Sequence, residues 1–154
     1  MQRENQRYFY FIILVVGFVF LRSGWGKVTG GKFAGSLAGT LAKFAEKNPH
    51  LWYKDFLQNV AIPNAATFAL LTMWGEVLTG FALMLTSTYL LFKRGTKLIY
   101  FALLLASFGG IFLNATFWLA AGYTSASTES VNLIMFFVES AGLVFALSRL
   151  LSTK

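Results

Sequence analysis

Cysteine is absent from the 154-residue chain, and His50 is its only histidine. Without cysteine the chain forms no disulfide, ligates no iron–sulfur cluster, builds no cysteine-based zinc site and performs no thiol-dependent quinone chemistry. A single histidine does not supply the two axial ligands of a bis-histidine haem. We therefore expect no haem, iron–sulfur or metal ligand set within this chain, and we interpret His50 as a surface residue.

Charge is also scarce, because charged residues make up 12% of the chain and hydrophobic residues 56%. Soluble domains carry roughly a quarter of their residues as charges, and half that amount does not cover a water-soluble globule. The net charge is +7, yet the basic residues form short clusters between apolar runs, as in membrane proteins. The expected partner is therefore the lipid bilayer and not nucleic acid.

Four apolar runs are long enough to span a bilayer, which takes about 20 helical residues. They are expected at residues 8–25, 64–92, 98–120 and 131–151. The first run resembles a signal peptide, but no small-x-small cleavage site follows it, so we expect it to be retained. The chain is predicted to be an all-α, polytopic membrane protein, a single domain (residues 1–154) folded as a four-transmembrane-helix bundle.

The orientation of the bundle is predicted from the basic residues at the chain ends and between the second and third runs. By the positive-inside rule their side of the membrane is the cytoplasm. The loop after the first run is also net basic, which opposes this assignment. We expect a multi-pass protein of the cell (plasma) membrane with both termini cytoplasmic. The basic residues used are Arg3, Arg7, Lys93, Arg94, Lys97, Arg149 and Lys154.

The loop between the first two spans is predicted to contain helices over about residues 32–60. Its apolar residues recur at intervals of four, four and three, which is typical of an amphipathic helix; they are Phe33, Leu37, Leu41 and Phe44. Asn48-Pro49 then predicts a cap and the first position of a second helix. That helix would present Trp52, Phe56 and Val60 on one face. The segment is either a lid on the outer membrane surface or a cover over a site whose lysines attract anions.

Each predicted span contains one polar side chain that is unexpected in lipid. An ionisable group at this depth costs about 2.5–3.5 kcal/mol, so it usually has a partner or a task. At ~1.5 Å per residue, these groups lie roughly 21, 18, 24 and 12 Å from the starts of their spans. All four then fall in the middle or outer half of the membrane, and small residues such as Gly17, Gly24, Gly80, Gly110 and Gly142 accompany them. The four are Arg22, Glu76, Asn114 and Glu139.

Two interpretations of these groups remain open. Arg22 would pair with Glu76 or Glu139 and only fix helix register. Alternatively, because there are two acids for one intramembrane base, one carboxyl group is left over unless Lys27 reaches it. A carboxyl group without a partner in low dielectric exchanges a proton, as quinone reduction or proton-linked transport requires.

Several segments resemble the DoxX/DoxD family of four-helix membrane proteins. They are Arg22-Ser-Gly-Trp25-Gly-Lys27, Asn48-Pro49-His-Leu-Trp52-Tyr53-Lys-Asp-Phe56-Leu57, Gly75-Glu76-Val-Leu-Thr-Gly80, the basic turn around Gly95, and Asn114 followed by Gly122. The resemblance implies a membrane subunit of a quinone-linked oxidoreductase. DoxD-like members form the membrane-embedded part of a thiosulfate:quinone oxidoreductase, together with a separate small partner subunit. The resemblance provides no established catalytic residues.

The leading hypothesis is a quinone-linked membrane oxidoreductase, or its membrane subunit, that oxidises a small sulfur oxyanion such as thiosulfate. Its assignments rest on depth and chemistry: Glu76 and Glu139 as catalytic proton carriers, Arg22, Lys27 and Asn114 for the substrate, and Trp25, Phe18 and Phe117 against a quinone ring. The alternative is a non-catalytic accessory subunit of a larger respiratory or photosynthetic membrane complex. A proton-coupled transporter is a third class, disfavoured because the chain shows no internal repeat.

Overall fold

Six α-helices make up most of the chain in a computed structural model, which describes residues 2–152 and, for residues 2–5, the backbone alone. A π-helical turn, Leu57–Ala61, continues the third helix, and a 3-10 turn, Gly122–Thr124, follows the fifth. Lys154 and the side chain of Arg3, both used to predict the orientation, lie outside the described residues. The helices are α1 (Gln2–Gly30), α2 (Phe33–Glu46), α3 (Leu51–Phe56), α4 (Ala65–Phe92), α5 (Lys97–Ala121) and α6 (Ala126–Ser152).

Four of these helices, α1, α4, α5 and α6, are long and apolar enough to cross a membrane. The shortest has 25 residues and is therefore about 38 Å long, which exceeds the hydrocarbon thickness of about 30 Å. The predicted all-α bundle of four spans in a multi-pass membrane protein is confirmed. Two of the helices, α1 and α6, extend well beyond the predicted apolar runs. α1 continues to Gly30 and ends where Gly31 adopts a φ of 67°, and α6 begins at Ala126, one residue after the Ser125 hydroxyl that accepts from Thr128 N.

The four long helices alternate in direction, with α1 packed on α4, α4 on α5, α5 on α6, and α6 back on α1. One end of the bundle contains the turn of residues 93–96 and both described chain ends; we call it the basic end. The other end is covered by α2 and α3 and is called the capped end. The core of the basic end is aromatic, since the Phe145 ring lies 5.6 Å from the Tyr10 ring and 6.2 Å from the Tyr100 ring.

Glycines bring the backbones of α1 and α4 into direct contact. A methyl group at Gly24 would lie 2.8 Å from the Cβ of Glu76, and one at Gly17 would lie 2.9 Å from the Cβ of Leu83. At Gly80 the obstacle would be the backbone of α1 itself, because the carbonyl oxygen of Gly17 would be 2.7 Å away. Small residues permit this close approach where the hydrophobic effect offers no driving force between spans.

The capped end confirms one predicted helix and corrects another. α2 buries Leu37, Leu41 and Ala45, as its amphipathic pattern predicts. α3 begins at Leu51 with His50 as its N-cap, so Asn48-Pro49 does not start it. Asn48 is instead buried; its side chain accepts from His50 N and donates to the carbonyl oxygen of Leu119 at 2.9 Å. Asn48 therefore ties the outer segment to the end of α5.

The outer segment packs on the bundle through the face next to the predicted apolar one. Tyr53, Leu57 and Ala61 are buried, whereas Trp52 and Val60 are exposed. The Tyr53 hydroxyl donates to the carbonyl oxygen of Thr116 at 3.1 Å, and burial raises the pKa of this phenol, which keeps it a neutral donor. The contacts of Asn48 and Tyr53 with α5 make α2 and α3 a docked cap.

Candidate functional site

Glu76 is buried between α1 and α4, and its counter-ion is Lys27. Its carboxylate is 2% exposed, and its two oxygens lie 2.5 and 2.6 Å from the Lys27 ammonium nitrogen. Helix side chains tilt toward the N-terminus, so Lys27 reaches back to the level of Gly24, against which Glu76 packs. Of the two interpretations that the sequence left open, the pairing of Arg22 with Glu76 or Glu139 is not formed, and Lys27 is the partner of Glu76.

The donors of Lys27 are all in use. An ammonium has three N–H groups; two bind the Glu76 oxygens and the third donates to the Ser23 hydroxyl at 2.9 Å. The charge also lies 5.4 Å from the centre of the Phe33 ring and 5.7 Å from that of Phe117. An anion that binds Lys27 must therefore compete with Glu76 for it.

Glu139 is the second buried carboxyl group, and it has an amide partner but no cation. It is 0% exposed, and its Oε2 accepts a hydrogen bond from the Asn114 amide at 2.8 Å. Its Oε1 has no hydrogen-bond partner among the described residues. Gly110 makes room for this carboxyl group, because a methyl group there would lie 2.7 Å from Oε2. The arrangement fits a neutral acid whose Oε2 is the carbonyl and whose Oε1 bears the proton.

The two carboxyl groups lie at almost the same depth. Gly75, which precedes Glu76, packs on Leu113 of α5, and Glu139 packs on Gly110 of α5. Gly110 and Leu113 are three residues apart, which is about 4.5 Å along the helix. Of the four groups predicted to converge, the structure thus brings Glu76, Asn114 and Glu139 to nearly one depth inside the bundle, whereas Arg22 is exposed. Phe117 lies about one turn above Asn114 and touches the Lys27 charge.

A shallow open groove of about 500 Å³ leads to Lys27 from the surface, between the end of α1 and the start of α2. Its polar lining comprises two ammonium groups and two hydroxyls. It lies at the capped end, on the exposed side of the Lys27–Glu76 pair. The lining residues are Ser23, Gly26, Lys27, Gly30, Lys32, Phe33 and Ser36.

Three of the predicted site residues point away from this centre. Phe18 is 54% exposed and Trp25 56% exposed on the outer surface of α1, and Arg22, between them, is also exposed. Arg22 makes no hydrogen bond or ion pair with the residues that the structure describes. The inward face of α1 is instead occupied by Gly17 and Gly24, so the structure separates these three residues from Phe117.

Sequence reasoning placed Gly110 beside the polar groups but did not identify Ser23 and Phe33 as neighbours of the Lys27 charge. Ser23 and Phe33 surround the Lys27 charge, and Gly110 makes the space for Glu139. A signal was available for Ser23, because it lies four residues before Lys27 and therefore on the same helix face.

No protein-family model, curated protein or solved structure matches the chain. Within residues 2–152 no group of three His, Cys, Asp or Glu side chains is placed to hold a metal ion. The function is therefore inferred from the two carboxyl sites and the groove.

Proposed function

We propose that the protein is the membrane subunit of a quinone-linked oxidoreductase that oxidises a small sulfur oxyanion such as thiosulfate. The observation that supports this proposal best is the pair of buried carboxyl groups at one depth, one with an ammonium partner and one without a cation. Quinone reduction consumes two electrons and two protons, and protonatable groups inside the membrane supply protons that lipid does not. The family resemblance agrees with this reading.

Glu139 and Glu76 have different tasks in the proposed reaction. Glu139, neutral and bound to Asn114, donates its proton to a reduced quinone oxygen. Glu76 takes up a proton when an incoming anion displaces it from Lys27, because a buried carboxylate without its cation is strongly disfavoured. Anion binding and proton uptake are thereby coupled at one ion pair.

The groove at the capped end is the proposed oxyanion site. Lys32 attracts the anion, the Ser23 and Ser36 hydroxyls offer hydrogen bonds, and Lys27 neutralises the remaining charge. Two thiosulfate ions each lose one electron as a sulfur–sulfur bond forms between them. The quinone accepts both electrons and takes two protons, one from Glu139 and one from the protonated Glu76.

Phe117 is the quinone contact that the structure favours, because its half-buried ring lies beside Lys27 and above Asn114. Phe18 and Trp25 face the lipid and would meet a quinone only on its lateral approach. The electrons pass to the quinone either directly or through a partner subunit that binds a redox group.

The test is turnover of the purified protein with thiosulfate as donor and a short-chain quinone as acceptor. We expect Glu139→Gln to lower turnover by roughly 10²-fold, within the usual contribution of a general acid, and Glu76→Gln to lower it similarly. Glu129→Gln, at an exposed glutamate of the capped end, is the matched control and should retain wild-type turnover.

Purification in mild detergent, with mass spectrometry for quinone and protein partners, supports that assay. Stoichiometric quinone in the wild-type protein, together with its loss from the Phe117→Ala variant, would support a quinone site at Phe117. Full quinone-dependent turnover in both carboxyl variants would overturn the proposed proton carriers. Recovery inside a large complex without quinone would favour the second candidate, an accessory subunit. Arg22, on the outer surface and without a partner among the described residues, also favours it.

The proposed orientation places the basic end in the cytoplasm of a cell and the capped end outside. Because the chain has no cysteine, a single introduced cysteine reports its own side of the membrane. We expect a membrane-impermeant maleimide to label Ser130→Cys, exposed at the capped end, in intact cells and to label Lys93→Cys, exposed at the basic end, only after permeabilisation. The reverse pattern would invert the topology.

A further inference from the structure

Arg22 lies at the middle of the bundle's length. α4 has its midpoint between Leu78 and Thr79, α5 at Gly109 and α6 at Glu139. A methyl group at Gly109 would lie 2.9 Å from the Thr79 hydroxyl oxygen, and Glu139 packs against the neighbouring Gly110, so these midpoints share one level. Gly80, next to Thr79, is in contact with Leu21, which places Arg22 at that level too.

In a bilayer centred on these midpoints, the Arg22 side chain would meet hydrocarbon and no counter-ion from the described residues. It is exposed, and it has no hydrogen bond or ion pair with the described part of the chain. An arginine in mid-membrane costs about 2.5–3.5 kcal/mol even on the mildest scale. The Arg22 side chain is poorly placed to extend to water at the capped end. Side chains tilt toward the helix N-terminus, which for α1 is the basic end, and the end of α1 at Gly30 is about 12 Å from Arg22 along the helix.

The surface beside Arg22 is shaped for another helix. Gly26 and Gly30 follow Arg22 at intervals of four on α1, and a methyl group at either would meet nothing within 4 Å. The glycines that face α4 are by contrast filled by that helix. Both glycines also line the rim of the groove, and glycines spaced by four allow a second helix to approach closely.

We propose that this face of α1, formed by Phe18, Arg22, Trp25, Gly26 and Gly30, docks a transmembrane helix of a different protein that carries an aspartate or glutamate at mid-membrane. The carboxylate of that helix would pair with Arg22, and its backbone would pack on the two glycines. This surface rests on the proposed subunit role, and it shares Gly26 and Gly30 with the rim of the groove.

Charge excludes a second copy as the occupant. The carboxyl groups at the middle of the spans are Glu76 and Glu139, and both are buried inside the bundle. Glu76 is paired with Lys27, and Glu139 accepts a hydrogen bond from Asn114. A second copy thus has no acid to offer at this depth, and a twofold pairing of this face would bring two arginines together in low dielectric. Lipid phosphates lie at the membrane surface and not at this level.

The test is photo-crosslinking in native membranes from an ultraviolet-activated amino acid placed at Gly26, where a side chain meets open space. Leu78, which is 64% exposed on the lipid-facing side of α4, is the matched control position. We expect one discrete protein adduct from position 26, with the crosslink mapped to a membrane span that contains an acid, and only lipid adducts from position 78.

Variants of Arg22 show whether the crosslinked adduct depends on an ion pair or only on the proximity of the two helices. Arg22→Leu should lower the adduct yield by about tenfold, which corresponds to about 1.4 kcal/mol, whereas Arg22→Lys should retain most of it. Lipid adducts alone at position 26, an adduct with a second copy, or a yield unaffected by Arg22→Leu would overturn the proposal. Turnover and quinone content are measured on the purified protein without this partner, so a failure of the interface and a failure of the proposed reaction are distinguishable.

Discussion

Lys27→Met is expected to lower the free energy of unfolding by about 3 kcal/mol, the lower end of the range for breaking a buried ion pair. The substitution keeps most of the volume of the side chain but removes the cation that neutralises Glu76. The Glu76 carboxylate is 2% exposed and both of its oxygens bind Lys27, so it would be left in the core with no compensation. Denaturation in mild detergent, followed by circular dichroism, measures the loss.

The double variant Lys27→Met/Glu76→Gln distinguishes charge from packing. We expect it to recover most of the stability, because a neutral amide no longer needs a cation. Lys32→Met, at the other lysine of the groove, has no buried partner and should stay within about 0.5 kcal/mol of the wild type. A double variant as unstable as Lys27→Met would show that the lysine acts through its alkyl chain and ring contacts.

Gly80→Ala is expected to lower the free energy of unfolding by about 2–3 kcal/mol, the upper part of the range for overpacking. The added methyl group would contact the backbone of Leu21 and lie 2.7 Å from the carbonyl oxygen of Gly17. Backbone atoms do not rotate away, so α1 and α4 would have to separate. Because Glu76 lies one turn from Gly80, the separation would also weaken its ion pair and lower turnover.

Gly26→Ala is the control for the intrinsic effect of alanine in a helix. Its methyl group would meet nothing within 4 Å, and alanine favours helix over glycine by about 0.8–1 kcal/mol. In detergent the isolated protein should therefore be unchanged or slightly more stable. Equal stability of the Gly80→Ala and Gly26→Ala variants would contradict the backbone contact between α1 and α4.

The sequence by itself determined the class of the protein. Four apolar runs longer than about 20 residues, together with few charges, leave little choice but four membrane spans, because unpaired backbone groups are not tolerated in lipid. It also determined that Glu76, Asn114 and Glu139 share a depth, since helical rise converts chain position into distance. Helix ends were less predictable, because α1 and α6 continue into polar residues that have no strong helix-breaking signal.

Only the tertiary structure decided which charges meet. Depth alone made Arg22 as good a partner for Glu76 as Lys27, but a side chain can pair only in the direction in which its helix face points. Gly17 and Gly24 turn one face of α1 onto α4, and this rotation brings Lys27 to Glu76 and sends Arg22 outward. The contact between two helices, and not the residue types within either, selected the ion pair and left an arginine on the outer surface of the bundle.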